Sequence, residues 1–203
     1  MKEAQVTSGL TISLDGFAAG HNQSFEKPFG DHFDASLLDR WMFSEPEKHK
    51  HKKEIEGILD ADAFIMGSNM FGPKDRREKT TWKGWWGDNP PYHAPVFVLS
   101  HFARPSIKMQ GGTVFHFITD GIDSALEKAK EAAGSQHVKI MGGASTVNQY
   151  LAAGLIDELW LHIVPVTVGT GMRLFEGVPN IKLEAIEQSG SSVVTHIKYK
   201  VLK

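Results

Sequence analysis

Short apolar runs separated by amphipathic segments constrain this fold more than any other feature of the sequence. The segments at 124–133 and 145–153 carry apolar residues at helical spacing and end at glycines, so they predict helices. Strands that alternate with helices form a mostly parallel sheet with both faces covered. The sequence therefore predicts an α/β fold of three layers, with helices on both sides of a central sheet. The apolar runs that predict buried strands are 63–66, 96–99, 114–118, 138–141 and 158–164.

The two ends of the chain extend this sheet. Residues 6–14 alternate loosely between apolar and polar, which predicts a first strand, and Asp15-Gly16 marks the turn that follows it. Residues 181–202 predict two antiparallel strands joined by a turn at 189–191. No linker or change of composition divides the sequence, so we expect one domain that covers residues 1–203.

The composition excludes several classes of protein. The sequence has no cysteine, which rules out disulfides and thiolate metal sites and fits a cytoplasmic protein. The net charge is −2 and no long basic block occurs, so nucleic acid is not the expected partner. No apolar run reaches the roughly 20 residues of a membrane span, and no signal segment opens the chain. A small molecule is the expected partner.

A pair of glycines lies between the predicted strand 138–141 and the helix that follows. The first amides of a helix have no partner within the helix, and the helix dipole is positive at that end. Gly142 and Gly143 would let an anion approach these amides, and Ser145 and Thr146 could add hydroxyl contacts. The pattern lacks the G-x-G-x-x-G of a Rossmann domain and the lysine of an NTPase phosphate loop. A tight turn with close packing would explain the same two glycines.

Two other strand ends carry similar small and polar residues. Gly67-Ser68-Asn69 follows one predicted strand, and Leu99-Ser100-His101 ends the next. Ligands of open α/β sheets bind outside the carboxyl ends of the strands. Three such ends favour a shared nucleotide site, although each one by itself is also typical of a helix cap or a turn.

Aromatic and histidine residues give weaker signals. Residues 72–94 predict a long loop whose tryptophans, Trp86 among them, either cover a substrate or anchor the loop. His49 and His51 occur in K-H-K-H-K-K, which predicts a solvated helix face, and no metal site is expected there or elsewhere. The strand histidines at 116, 162 and 196 are predicted to be packed or hydrogen-bonded. A short helix is predicted at 35–43.

Five motifs in order resemble the dihydrofolate-reductase-like family. They are S-L-D-G at 13–16, I-M-G-S-N-M-F at 65–71, P-V-F-V-L-S at 95–100, I-M-G-G-A-S at 140–145 and the run from L-I-D-E-L-W at 155 to M-R-L-F at 175. The match is closer to the branch typified by the reductase half of the bacterial riboflavin-biosynthesis deaminase/reductase, the RibD C-terminal type. It covers most of the chain except 20–50 and the tryptophan loop.

The resemblance implies a fold, a cofactor and a reaction. The fold is a dihydrofolate-reductase-like sheet with an antiparallel C-terminal hairpin, and the cofactor is NADPH. The reaction is hydride transfer to a small heterocyclic or sugar-derived substrate, similar to that of 5-amino-6-(5-phosphoribosylamino)uracil reductase. A non-catalytic NADP(H)-binding sensor and a dihydrofolate or pterin reductase remain alternatives. Family relatives often pair through late strands such as 155–175. A homodimer and a strand in the middle of the sheet would both explain this apolar run.

The resemblance also implies roles for particular residues. The diphosphate would lie on Gly142, Gly143, Ala144, Ser145 and Thr146, and would be met from the other side by Gly67, Ser68 and Asn69. The adenosine 2′-phosphate would lie at Leu99, Ser100 and His101, and the nicotinamide at Ala18, Ala19 and Gly20. The substrate would face Asp15, Gly169, Thr170 and Gly171. Apart from the resemblance, Trp86 is a candidate to cover the substrate and Asp15 is the candidate for the proton path. His32 and Asp34 are weaker candidates for that path, because loop residues could fold over the site.

The sequence departs from the family in three respects. Many members carry arginine directly after the glycine at 67, where this chain has Ser68, so another cation would have to replace that phosphate clamp. Candidates are Lys74, Arg76, Arg77 and Arg104. The helix before the strand 63–66 is basic where dihydrofolate reductases carry an acid, which argues against dihydrofolate as the substrate. No deaminase precedes this sequence, so we expect a standalone reductase.

Overall fold

The computed structural model describes residues 4–31 and 33–203, and a central sheet dominates its architecture. In chain order the strands are β1 (Gln5–Ser13), β2 (Phe17–Ala19), β3 (Ala63–Gly67), β4 (Pro95–Leu99), β5 (Ile107–Lys108), β6 (Val114–Ile118), β7 (His137–Gly142), β8 (Glu158–Val164), β9 (Met172–Arg173), β10 (Lys182–Gly190) and β11 (Thr195–Leu202). Within the described residues, nine of them form one sheet in the order β10-β11-β8-β1-β7-β3-β4-β6-β5, and β2 pairs with β9.

The pairing pattern confirms the predicted mostly parallel sheet. β1 pairs in parallel with β7 and β8, β3 with β4 and β7, and β4 with β6. The tail adds the predicted antiparallel hairpin, because β10 pairs with β11 and β11 pairs with β8. The carboxyl ends of the parallel strands therefore meet at one edge of the sheet, where ligands of α/β proteins bind.

Helices cover both faces of this sheet. They are α1 (Ala35–Phe43), α2 (Glu45–Lys48), α3 (Lys52–Ile58), α4 (Ser68–Phe71), α5 (Lys74–Arg77), α6 (Ile122–Ala133) and α7 (Ala144–Ala152), with a 3₁₀ turn at Gln110–Gly112. Buried apolar residues of α6 and α7 pack on one face of the sheet, against alternate side chains of β1, β3 and β7. On the other face, α1 places the fully buried Trp41 against β8 residue Val164. Among the described residues, no helix is long and apolar enough to cross a membrane.

Two local predictions differ from the structure in instructive ways. The segment K-H-K-H-K-K, predicted as part of a helix, is interrupted, because α2 ends at Lys48 and α3 begins at Lys52. The prediction of a solvated face is wrong for His51, which is only 3% exposed, while His49 is exposed. The two residues are close in sequence, but the break between α2 and α3 turns His51 towards β11. The loop predicted at 72–94 contains the short helix α5.

Candidate functional site

A cleft of about 940 Å³ opens at the edge where the parallel strands end. Its walls are the ends of β3, β4, β6 and β7, the first turn of α7, the strand β2 and the helix α1. Most of the residues that sequence reasoning assigned to a cofactor line this one cleft, although they lie far apart in the chain. They are Ala18, Ala19, Gly20, Gly67, Ser68, Asn69, Leu99, Ser100, His101, Gly143, Ala144, Ser145 and Thr146.

Other predicted residues lie outside the lining of the cleft. Of the predicted substrate residues, Trp86 lines it, while Asp15, Gly169, Thr170 and Gly171 do not. Gly142 does not line it either, and its φ of 119° identifies it as the residue that turns the chain from β7 into α7. Of the weaker proton-path candidates, His32 lies outside the described residues, and Asp34 is the N-cap of α1, where it accepts the amide of Ser36 at 3.0 Å.

The first turn of α7 is open towards the cleft. Gly143 is its N-cap, and no side chain caps the helix. A Cβ built on Gly143 would meet no atom within 4 Å, so the space in front of this turn is free. On the neighbouring strand β3, a Cβ on Gly67 would lie 2.3 Å from the Thr146 hydroxyl, so glycine is required for β3 to approach α7 this closely. The uncapped amides and the helix dipole suit this turn to bind an anion.

The guanidinium of Arg77 provides a positive charge at the sheet edge where the cleft opens. Arg77 lines the cleft together with Ser100 and His101, and its guanidinium donates to the side-chain carbonyl of Asn69. Of the other cations considered from the sequence, Arg104 is committed elsewhere, because it donates to the backbone carbonyls of Arg77, Thr80 and Trp82. Lys74 and Arg76 do not line the cleft. Of these candidates, Arg77 is therefore the cation whose position suits it to act in place of the arginine that many family members carry where this chain has Ser68.

Asp15 holds a loop in place at the side of the cleft. Its carboxylate accepts the Ser13 hydroxyl at 2.6 Å and the backbone amides of Val168 and Gly169 at 3.1 and 2.8 Å. The hydrogen bond from Ser13, opposed in part by desolvation and aided by the two amides, lowers the pKa of Asp15. A carboxylate with this many donors is fixed in its charged form. The structure thus gives Asp15 a structural task, and the substrate contact expected from the sequence stays a prediction.

We expect Asp15→Asn to destabilise the protein by about 1–2 kcal/mol, because an amide has one oxygen and cannot accept from both the Ser13 hydroxyl and the Gly169 amide, which bond different carboxylate oxygens of Asp15. Affinity for a nucleotide and any turnover should change less than threefold. Urea unfolding at pH 7, with nucleotide titration of the folded variant, measures both quantities. A variant as stable as the parent that had lost turnover would return Asp15 to the proton path.

Three polar side chains in the inner part of the cleft were missed by sequence reasoning. They are Asp39 from α1, Lys139 from β7 and His162 from β8. Burial raises the pKa of Asp39 to about 6 and lowers that of Lys139 to about 8, and the Lys139 ammonium donates to the carbonyl of Gly57. The sequence held a signal, because Asp39 interrupts the apolar run L-L-D-R-W-M and Lys139 lies inside an apolar strand. Ionisable groups with shifted pKa values in a cleft are candidates for chemistry.

We expect Lys139→Met to stabilise the protein at neutral pH. The folded state holds Lys139 with a pKa of about 8 against 10.5 in the unfolded chain, so below pH 8 the folded state bears the cost of a buried charge. That cost is about 3 kcal/mol, and losing the bond to the Gly57 carbonyl offsets about 1–2 kcal/mol of the gain. Urea unfolding should show a net gain of about 1–2 kcal/mol at pH 7 that shrinks as pH rises from 8 to 10.5.

The matched control is Lys108→Met, which alters an exposed lysine on the edge strand β5. Its free energy of unfolding should stay within about 0.5 kcal/mol of the parent at both pH values. An equal gain in both variants would show that burial of Lys139 is not the cause.

The tryptophans of the long loop divide between anchoring the loop and lining the cleft. Trp82 anchors the loop, because its indole N–H donates to the carbonyl of Phe71 at 3.0 Å. Trp85 and Trp86 line the cleft, and Trp86 also packs on Phe115 with ring centroids 5.8 Å apart. Two indole rings are therefore fixed beside the space that a ligand would fill.

The parallel sheet, its strand-end cleft and the glycine turn before α7 define a dihydrofolate-reductase-like α/β protein. The chain belongs to the RibD C-terminal domain family, whose model matches residues 4–195. A curated relative, the uncharacterized protein YyaP of Bacillus subtilis, is 25% identical over 202 residues, which are 96% of this chain and 94% of YyaP.

Solved structures show the same fold. A putative riboflavin biosynthesis protein from Shewanella sp. PV-4 superposes with a TM-score of 0.69 at 20% identity, over 98% of this chain and 99% of that one. Dihydrofolate reductase from Enterococcus faecalis, solved in complex with NADP(H), superposes with a TM-score of 0.57 at 13% identity, over 100% and 99% of the two chains. The family model confirms the predicted family, and the solved structures confirm the predicted fold.

Proposed function

We propose that this protein is an NADPH-dependent reductase of a small heterocyclic or sugar-derived substrate. One observation carries the proposal: three glycine or small-residue strand ends, separated in sequence, converge on one cleft whose wall is the uncapped first turn of α7. The family of the chain supports it, since the related folds include reductases and one is described with NADP(H).

The residues of the cleft fit a dinucleotide. Gly143, Ala144 and Ser145 would hold its diphosphate, because their side chains are absent or short and the helix amides point outward. Arg77, with Ser100, would bind the adenosine 2′-phosphate and so favour NADPH over NADH. Ala18, Ala19 and Gly20 offer a flat, small-residue surface for the nicotinamide ring. When bound, the cofactor would supply the hydride.

The inner polar groups would serve the substrate. Asp39 would donate the proton that reduction of a C=O or C=N bond requires, because burial keeps part of its population protonated near neutral pH. Lys139 would stabilise negative charge on the substrate heteroatom, since a buried ammonium is an effective electrostatic partner. Trp85 and Trp86 would pack on the substrate ring and exclude water.

A pterin remains a second candidate substrate because of Asp39. The sequence argument against pterins depended on the basic segment before β3, but the acid in the cleft comes from the earlier helix α1. A buried carboxyl group of raised pKa suits recognition of a nitrogen heterocycle. The panel of acceptors must therefore include pterins beside aminopyrimidines, imines and carbonyl compounds.

Thermal shift with NADPH, NADH and ATP tests the binding step. A ligand at 100 times its Kd adds about 2.7 kcal/mol, which corresponds to roughly 5–10 °C for a chain of this size. We expect the largest shift with NADPH, followed by loss of absorbance at 340 nm with a member of the acceptor panel. A shift with no oxidation would favour the sensor alternative, and a shift with ATP alone would contradict the proposal.

A further inference from the structure

A chain of buried hydrogen bonds joins the cleft to the far side of α2. His162 Nδ1 lies 2.7 Å from His196 Nδ1, and His196 Nε2 lies 2.9 Å from His51 Nδ1. His51 Nε2 lies 3.1 Å from the hydroxyl of Ser191, which donates to Glu47 at 3.2 Å. The three rings are 3%, 0% and 3% exposed, so the two ring-to-ring hydrogen bonds are shielded from water, while the two bonds of Ser191 are partly buried.

The two ends of this chain lie in different environments. At one end His162 lines the cleft, and its Nε2 lies over Gly9, where a Cβ would be 3.9 Å away. Within the described residues that nitrogen makes no hydrogen bond. At the other end the Glu47 carboxylate binds the ammonium of Lys50 at 2.8 Å, and the Lys50 side chain is 55% exposed. The chain therefore spans from the cleft to a solvated ion pair.

The surroundings keep the three rings fixed and the inner two neutral. Trp41 is fully buried and packs on all three, with ring centroids 4.7, 4.9 and 6.0 Å from His162, His196 and His51. Burial, and next the neighbouring rings and Lys139, hold the pKa of His162 well below its usual range, and burial lowers that of His196 to about 4. The other charged groups that face the rings are Glu54 on α3 and Glu47 on α2.

The proposed path requires a neutral imidazole at each ring, and such a chain has two self-consistent hydrogen-bond arrangements. A neutral imidazole carries one N–H and one bare nitrogen. When every ring donates towards the surface, His162 Nε2 is bare at the cleft. When every ring donates towards the cleft, His162 Nε2 carries a proton. One concerted shift converts the second arrangement into the first and releases one proton at the cleft.

We propose that His162, His196 and His51, continued by Ser191 and Glu47, form a proton path that supplies the cleft from the surface. This inference rests on the proposed function, because reduction consumes one proton in each turnover and Asp39 must regain the one it gives. The mouth of the cleft is filled by cofactor and substrate at that moment. A route through the interior of the protein avoids that obstruction.

The transfer balances at each atom. A proton from solvent protonates Glu47, which passes a proton to the Ser191 oxygen as the Ser191 proton moves to His51 Nε2. The Nδ1 proton of His51 moves to His196 Nε2, and the Nδ1 proton of His196 moves to His162 Nδ1. His162 then releases its Nε2 proton to water or substrate in the cleft. One proton enters, one leaves and no electron moves. When product leaves and the cleft opens to water, a proton taken up at His162 Nε2 drives the reverse shift, Glu47 releases a proton to solvent, and the starting arrangement is restored.

A metal site is the alternative interpretation of His51 and His196 together with Glu54. Ligand atoms of His51, Glu54 and His196 lie within 4.8 Å of one another. The facing nitrogens of the two histidines are 2.9 Å apart, whereas two nitrogen ligands of a tetrahedral zinc ion are separated by about 3.3 Å. The geometry therefore favours a shared proton over a shared ion.

Nitrogen-15 NMR of histidine-labelled protein tests the path without any substrate. We expect couplings across the two ring-to-ring hydrogen bonds, neutral rings at 162 and 196 from pH 5 to 8, and shifts averaged between two tautomers. One fixed tautomer at His162 over this range, or an imidazolium at His196, would overturn the proposal. So would stoichiometric binding of added ZnCl2 that shifts His51 and His196.

Two variants connect the path to turnover. His51→Gln and His196→Gln keep a hydrogen-bonding group but cannot relay a proton, so kcat should fall at least tenfold, with a larger solvent deuterium isotope effect and an unchanged Kd for NADPH. His116→Gln, a strand histidine outside the chain bonded to Ser106, should keep the kcat of the parent. An unchanged kcat in both His51→Gln and His196→Gln would exclude the proton path. Failure of NADPH to bind would sink the proposed function, while the NMR result still decides the path.

Discussion

Ser145→Asp is expected to weaken NADPH binding about 100-fold while the fold keeps its stability. Ser145 is exposed in the first turn of α7 and lines the cleft. A carboxylate about 5 Å from the two charges of a diphosphate costs about 2–3 kcal/mol at an intermediate effective dielectric constant, and each 1.4 kcal/mol is about tenfold in Kd. The same carboxylate is favourable for the helix itself, by about 0.3–1 kcal/mol.

Weaker NADPH binding without a loss of stability would show that Ser145→Asp damages the binding site and leaves the fold intact. Ser192→Asp introduces the same charge at an exposed position of the turn between β10 and β11 and should leave the Kd within twofold. Gly143→Val is a second probe, because its Cβ meets open space and the added atoms would occupy the volume in front of α7. Fluorescence titration with NADPH measures all three. If Ser145→Asp bound NADPH as the parent does, the first turn of α7 would not be the diphosphate site.

Asp39→Asn is expected to lower the rate of substrate reduction by about 10²–10⁴, the usual contribution of a general acid. Asparagine has nearly the same shape and can hydrogen-bond, but it cannot donate a proton to a reduced heteroatom. The Kd for NADPH should change less than threefold, because Asp39 lies on α1, away from the turn before α7. Single-turnover oxidation of bound NADPH with the acceptor found in the panel measures the rate.

The pH dependence gives an independent check on Asp39. Burial raises its pKa to about 6, so the folded protein binds a proton that the unfolded chain, with a value of 3.8, has released. Stability from this group is thus present below pH 4 and falls as pH rises to about 6. Asp39→Asn should be more stable than the parent by about 1–2 kcal/mol at pH 8, after allowance for partial exposure, and no more stable at pH 4.

Turnover should follow the same titration. The rate of the parent should fall as pH rises above about 6, where Asp39 loses its proton, and the small rate left in Asp39→Asn should lack this step. Asp88→Asn, which changes an exposed acid outside the cleft lining, should keep the profile of the parent. Undiminished turnover by Asp39→Asn at pH 7 would exclude it as the proton donor.

The part of the cleft built by the strand ends and the first turn of α7 was predictable because its signals are local. A glycine pair between a strand and a helix, and small polar residues after other strands, have meanings fixed by backbone geometry within a few residues. The rule that parallel strands share a carboxyl edge then brings these segments together. All the predicted cofactor residues except Gly142 accordingly line one cleft.

The polar groups that α1, β7 and β8 contribute to the cleft were not predictable from local sequence patterns. Asp15 and Asp39 are both single acids near the start of the chain, and Asp15 occupies the more suggestive motif. The backbone amides of Val168 and Gly169, contributed from 153 and 154 residues away, commit Asp15 to structure. No sequence pattern near Asp15 predicts these two hydrogen-bond donors. Similarly, His51 occurs in a run of lysines and histidines, and only its contact with His196 on β11 shows that it is buried.

By itself, the sequence determined the alternation of strands and helices, the antiparallel tail and the glycine turn before α7, because periodicity and glycine placement act through near neighbours in the chain. The tertiary structure alone decided which ionisable groups lost their water: Asp39, Lys139 and the chain from His162 to His51. Desolvation depends on what packs against a side chain from distant segments, and that is settled only when the sheet and its two helical layers have come together.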